Sequence, residues 1–211
     1  MGVTVPPMPV AARAVFGRAA GQAEQYAQLL AGVGVERGVI GPNEVPRVWE
    51  RHLLNSAVVA ELVPQGCSLV DLGSGAGLPG VVLAMLLPDS EVVLLEPMLR
   101  RSTFLQECVA ELRLGNARVV RARAEQMAGK LAVDVVTARA VAPLDRLAAL
   151  AVGLLKPGGI VLAVKGVKAS AEVRDAKAAL DQLGLRDAEV LVVGSGKVDP
   201  AATVVRLTAH Q

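Results

Sequence analysis

The sequence predicts an α/β fold: a mostly parallel seven-stranded sheet closed by an antiparallel hairpin and preceded by helices. Three observations carry this. From Ser68 onward short apolar runs alternate with segments of helical spacing. A glycine-rich turn joins the first such run to the first such helix. The last two apolar runs follow one another with no helical segment between them. Alternation of the first kind builds βαβ units, hence parallel strands with helices on both faces. Two successive strand patterns read as a hairpin.

The elements follow in order. Ala11 to Leu30 has helical apolar spacing through Val15, Phe16, Ala19, Tyr26, Leu29 and Leu30. Gly32 to Gly41 is a break, and Asn43 is a candidate cap for a second helix reaching about Leu62. Strands are predicted at 68–72, 91–95, 117–121, 133–137 and 159–165, with helices at 77–87, 98–113, 143–154 and 169–183. The hairpin runs are 188–193 and 202–208, joined through Gly194-Ser195-Gly196-Lys197. Residues 1–66 are therefore expected to form an N-terminal helical appendage on a core of residues 67–211, the whole a single compact domain.

Composition narrows the function. The 211 residues suffice for one sizeable core. No apolar run approaches the length of a membrane span, and Met1 to Val10 lacks a basic stretch ahead of an apolar one. Cys67 and Cys108 stand alone, without metal-ligand spacing, which fits buried thiols in a reduced, cytoplasmic chain. Net charge is only +2, yet eight basic residues face four acids between Arg100 and Arg139. That local excess suits a phosphate-bearing partner or an ordinary solvated face.

Val70-Asp71-Leu72-Gly73-Ser74-Gly75-Ala76-Gly77 is the most informative stretch. Glycine lets a ligand approach the backbone and lets the turn take positive φ. Asp71 would repel a pyrophosphate and attract an ammonium, which suits the amino-acid end of S-adenosylmethionine. The rival is a dinucleotide loop, because Gly75-Ala76-Gly77-Leu78-Pro79-Gly80 matches G-x-G-x-x-G and Glu96 stands at the spacing of a ribose-binding acid. In such a sheet the ligand lies beyond the strands' carboxyl ends, where Asp71 to Gly80, Glu96, Ala122 to Glu125 and Thr137 to Val141 gather.

With these loops in view the chain resembles a Rossmann-like class I methyltransferase, and more narrowly the GidB (RsmG) family of bacterial 16S ribosomal RNA guanine-N7 methyltransferases. The carrying elements are Arg51-His52-Leu53-Leu54-Asn55-Ser56, Val70 through Gly80, Thr137-Ala138-Arg139-Ala140, and Lys156-Pro157-Gly158-Gly159 leading to Lys165-Gly166. The likeness runs from about Arg47 to Leu207; the Leu95-Glu96-Pro97-Met98 corner departs from the family's usual residues. The resemblance implies S-adenosylmethionine as cofactor, held by Asp71, Gly73, Gly75, Leu78, Glu96, Ala124, Glu125 and Arg139. Glu96 would accept the ribose hydroxyls, and the backbone at Ala124 and Glu125 would read the adenine edge.

On the substrate side Arg51, Arg100, Arg101, Arg123, Arg139 and Lys165 are the expected RNA-binding rim, and 16S RNA or the 30S subunit the expected partner. Four aromatic residues are too few for a base-stacking platform. Guanine N7 carries a lone pair and no proton, so no general base and no metal are expected; His52 reads as a hydrogen-bonded structural residue. Neither an Asn-Pro-Pro-Tyr motif nor a cysteine after the fourth or fifth strand is present, which speaks against exocyclic-amine and carbon-5 methylation. No obligate protein partner is expected, and a monomer is the default. A nicotinamide-dependent oxidoreductase, a non-catalytic RNA-binding module and a small-molecule methyltransferase remain as alternatives on the same fold.

Overall fold

The computed structural model describes residues 4–210. One seven-stranded sheet runs in the order β3-β2-β1-β4-β5-β7-β6. Its strands are β1 (Ser68–Leu72), β2 (Glu91–Leu95), β3 (Ala117–Val120), β4 (Val133–Arg139), β5 (Leu155–Lys165), β6 (Leu185–Val193) and β7 (Ala202–Ala209). The first five are parallel, and β7 inserts antiparallel between β5 and β6. Chain order reverses at β1 and β4, which share the register Asp71 to Thr137. This is the switch point at which open α/β sheets take ligands.

Strand parity divides the core into two layers. Leu69, Val92, Leu94, Val135, Leu162 and Val164 face one apolar cluster, and Val70, Leu72, Val93, Leu95, Val136, Val161 and Ala163 face the other. The first layer holds α4 (Gly80–Leu86), α5 (Leu99–Glu111) and the N-terminal helices; the second holds α7 (Leu144–Val152) and α8 (Ala169–Gln182). Because side chains alternate along a strand, Asp71, Thr137 and Arg139 share the parity of Leu69 and Val135 and point to the first layer. Lys165 shares the parity of Val161 and Ala163 and points to the second.

The N-terminal segment is more broken than its apolar spacing predicts. It comprises α1 (Val10–Phe16), a 3-10 turn at Gly17–Ala19, α2 (Ala20–Leu29) and a π-helical turn at Leu30–Gly34. A 3-10 segment at Pro42–Arg47 follows, with Gly41 at its cap position, so Asn43 does not cap this element as expected. A π-helical segment (Val48–Leu54), α3 (Asn55–Ala57) and a 3-10 turn (Val58–Leu62) complete it. Tyr26, Trp49 and Phe104 are fully buried in the first apolar layer. Helix α4 starts at Gly80 rather than 77, because Leu78-Pro79 completes the glycine turn first. The short α6 (Ala124–Met127) was not predicted.

Candidate functional site

The glycine turn between β1 and α4 is built from left-handed residues, with φ of +66° at Gly73, +57° at Gly75 and +92° at Gly77. Most of its amide donors are taken internally. Gly73 and Ser74 donate to the Leu95 carbonyl at 2.9 and 3.1 Å, Gly77 donates to Ser74 at 2.7 Å, and Gly75 donates to Glu96 Oε2 at 3.0 Å. Glu96 Oε1 accepts from Met98 N at 2.9 Å, so this buried acid ties the glycine turn to the corner after β2.

Asp71 turns inward rather than toward a ligand. It is 1% exposed. Its Oδ2 accepts from Gly80 N at 3.0 Å, and its Oδ1 from the Thr137 hydroxyl at 3.2 Å. The expected direct attraction of a ligand ammonium is therefore replaced by an indirect role: Asp71 locks α4 and β4 to β1. Burial pushes its carboxyl up to about 6, against the opposing pull of these hydrogen bonds. Gly80 is required by the same packing, since a Cβ there would stand 2.5 Å from Asp71 Oδ2. A protein carboxylate thus occupies the amide at the start of α4.

Leu78 is buried in the first apolar layer. Tyr26, which the sequence did not single out, donates its hydroxyl to the Ala76 carbonyl and so braces the turn from α2. Its Oη lies where a Cβ on Gly77 would clash.

Two clefts flank this turn. One, of about 390 Å³, is lined by Gly73, Leu95, Met98, Ala122, Arg123, Ala124, Glu125 and Val141, among others. The second, of about 940 Å³, gathers Glu44, Arg51, His52, Asn55, Arg139, Val141 and Lys165, among others. Val141 lines both and covers Gly73, where a Cβ would sit 3.0 Å from its Cγ2.

Arg139, the last residue of β4, donates Nη2 to His52 Nδ1 at 2.8 Å and Nη1 to the Arg51 carbonyl at 3.2 Å. His52 Nε2 lies 2.9 Å from Glu44 Oε2. Lys165 is held differently: its Nζ contacts Glu172 of α8 at 2.7 Å and the Ala142 carbonyl at 2.9 Å. Of the expected rim, the larger cleft collects Arg51, Arg139 and Lys165, and the smaller takes Arg123. Arg100 lies on α5 against the Gly38 carbonyl at 3.4 Å. Arg101 is half-buried, with its Nε lacking a partner among the described residues. Cys67 and Cys108 are buried free thiols, and burial pushes Cys108 up to about 12.

A family model described as GidB, rRNA small subunit methyltransferase G, matches residues 19–199. A ribosomal RNA small subunit methyltransferase G from Thermobifida fusca is 60% identical over 198 residues, covering 94% of this chain and 84% of that protein. The chain belongs to the GidB family. A second member, from Streptomyces avermitilis, is 55% identical over 204 residues, 96% of this chain and 86% of its own length. At the level of fold, a SAM-dependent methyltransferase from Aquifex aeolicus superposes with TM-score 0.60 at 18% identity, covering 82% of this chain and 97% of that one. A SAM-dependent O-methyltransferase from Thermotoga maritima gives 0.58 at 18% identity, covering 74% and 64%. The Rossmann-like methyltransferase fold expected from the sequence is thus the fold observed. No helix among the described residues is long and apolar enough to cross a membrane.

Proposed function

We propose that this GidB-family chain transfers a methyl group from S-adenosylmethionine to N7 of a guanine in the decoding-region loop of 16S ribosomal RNA. Family membership supports a small-subunit ribosomal RNA methyltransferase; the atom and the loop come from the resemblance. The observation that carries the donor is the Asp71 carboxylate seated on Gly80 N–H at the start of α4. A dinucleotide's pyrophosphate needs that helix start for itself. A protein carboxylate already there excludes a second anion and leaves the turn to offer acceptors.

The residues present fit the ribose end of the cofactor. Glu96, bound at one oxygen to the turn and at the other to its corner, keeps lone pairs for hydroxyl donors. Gly73, Gly75 and Leu78 would shape the turn around the ligand, with Asp71 behind it, and Ala124 and Glu125 would line the adenine side. When bound, S-adenosylmethionine supplies an electrophilic methyl on a sulfonium.

The chain's own residues then have to orient. N7 needs no base, and His52 has both ring nitrogens engaged. Arg139 is the nearest candidate to meet the guanine O6 edge or a phosphate. Holding the two reactants in line can supply roughly 7–11 kcal/mol of a bimolecular barrier. Arg51, Arg100, Arg101 and Arg123 are the remaining proposed RNA contacts, whereas Lys165 is tied to Glu172 and to the Ala142 carbonyl.

The test is transfer of tritiated methyl from S-adenosylmethionine to 30S subunits lacking the loop's N7-methylguanine, with the product nucleoside identified by mass spectrometry. N7-methylguanosine is the expected product. Methyl transfer to another atom overturns the N7 assignment, and binding of a nicotinamide dinucleotide in place of S-adenosylmethionine overturns the donor.

A further inference from the structure

Arg139 and His52 come from opposite ends of the chain's logic: one ends a sheet strand, the other sits in the irregular N-terminal helices. They meet at 2.8 Å, through Arg139 Nη2 and His52 Nδ1. A guanidinium has donors and no acceptor. Nδ1 must therefore accept, and the imidazole proton must lie on Nε2. That nitrogen is 2.9 Å from Glu44 Oε2, a carboxylate oxygen that accepts. The hydrogen bonds run in one direction: Arg139 donates to His52, and His52 donates to Glu44.

We propose that His52, fixed by Glu44 as its Nε2–H tautomer, is the positioning residue that sets the Arg139 guanidinium at the mouth of the methyl-transfer cleft. The proposal rests on the reading of Arg139 given above and deepens it. All three residues line the 940 Å³ cleft, and they arrive from three separate segments: Pro42–Arg47, Val48–Leu54 and β4. The Arg51 carbonyl takes Arg139 Nη1 at 3.2 Å, so the guanidinium is gripped at both terminal nitrogens. Its other donors stay available to a ligand.

The charges facing the imidazole agree with a neutral ring. Arg139 of β4 and Arg51 of its own segment stand on one side of the balance, Glu44 on the other. Burial first, then the Arg139 charge, lowers the His52 pKa below its ordinary value. Burial lowers the Arg139 pKa below its ordinary value, and the neighbouring Tyr26 of α2 and Asp71 of β1 oppose that shift. A ring proton on Nδ1 would set two donors and two positive charges against each other.

Two measurements test this. His52 and His210 are the two histidines of the chain, so nitrogen-15 imidazole spectra can be assigned with a single His210→Gln variant. A neutral Nε2–H tautomer at pH 7 is expected for His52; an Nδ1–H tautomer or a doubly protonated ring overturns the proposal. The second is a double-mutant cycle on kcat/KM for methyl transfer to 30S subunits. His52→Phe is expected to lower it on the order of tenfold to a hundredfold, as removal of a charge-assisted hydrogen bond does. In an Arg139→Ala background the same substitution should change it less than about threefold, because the partner is already gone. Equal losses in both backgrounds overturn the proposal, and unaltered melting of each variant guards against misfolding. Absence of methyl transfer by the parent protein would break the substrate assignment, while the tautomer result would still decide the role of His52.

Discussion

Asp71 and Asp134 both tie β1 to β4, from opposite ends of the sheet, and their environments differ in kind. At the carboxyl end Asp71 is sealed under α4, and burial lifts its carboxyl to about 6. At the amino end Asp134 accepts from Ser68 N at 2.8 Å, from Ser68 Oγ at 2.6 Å and from Lys156 Nζ at 2.9 Å. Those bonds, the Ser68 hydroxyl foremost, pull it down to about 2. One end of the sheet therefore keeps an expensive buried carboxylate where the other keeps a solvated, well-paired one. The buried one stands behind the proposed cofactor turn, where a close-packed and dry backbone is needed. The solvated one has nothing to do but hold two strands together.

The largest test of that contrast is a pair of glycine substitutions. Gly80→Ala drives a Cβ to 2.5 Å from Asp71 Oδ2 and closer still to the buried Leu94 side chain. A loss of roughly 3 kcal/mol or more is expected in urea unfolding, or failure to accumulate as soluble protein. Gly158→Ala, at the amino end of β5, meets open space and suffers only from its φ of +76°. There the loss should be roughly 1–2 kcal/mol. Equal losses at the two sites would remove the claim that close packing is concentrated at the carboxyl end.

The two carboxylates should also respond to pH with opposite sign. For Asp71 the folded pKa lies above the unfolded one, so the stability it contributes is full below about 4 and lost as pH rises through about 6. Asp71→Asn keeps an acceptor for Gly80 N–H and removes the buried charge. Relative to the parent it should gain stability between pH 4 and pH 7, by on the order of 3 kcal/mol at most. For Asp134 the folded pKa is depressed, so its contribution is full above about 4 and lost as pH falls through about 2. Asp134→Asn should lose about 1 kcal/mol or less at pH 7, since the pair is partly exposed and screened. Thermal melts of both variants across pH 2 to 8 would show the crossing; parallel curves would contradict it.

The same two ends show what was legible in the sequence. The parallel core, the hairpin, all seven strand ends and five of the seven strand starts within two residues followed from apolar period and turn residues, because both are local signals. The cofactor turn was legible as glycine spacing, and Glu96 as an acid at a strand end. What escaped was direction. Asp71 was read as facing a ligand, although its parity with Leu69 sends it into the first apolar layer. Tyr26 looked like a core aromatic, and Glu44 attracted no notice; their roles depend on contacts 50 and 8 residues away in the chain. The helical pattern of residues 11–62 hid several 3-10 and π turns, since apolar spacing does not distinguish i+3, i+4 and i+5 bonding over so few residues.

Parity at Lys165 also separates it from Arg123, a cation that the sequence placed on the same RNA rim, and this yields the smallest expected effect. Lys165 points to the second layer, 10% exposed, and is bound to Glu172 and to the Ala142 carbonyl. Releasing it to a phosphate would strand Glu172 and free the loop that carries Val141 over Gly73. Arg123 is exposed at the start of α6, on the wall of the smaller cleft. If affinity for RNA is measured against salt, Arg123→Ala should reduce the slope of log K on log salt by about 0.7, the value for one phosphate contact on a single strand. Lys165→Met should leave that slope within error and act instead on the apparent KM for the cofactor, through the loosened loop. A slope change at Lys165 as large as at Arg123 would place both on the RNA after all, and the inward pull of strand parity at that position would have been overcome on binding.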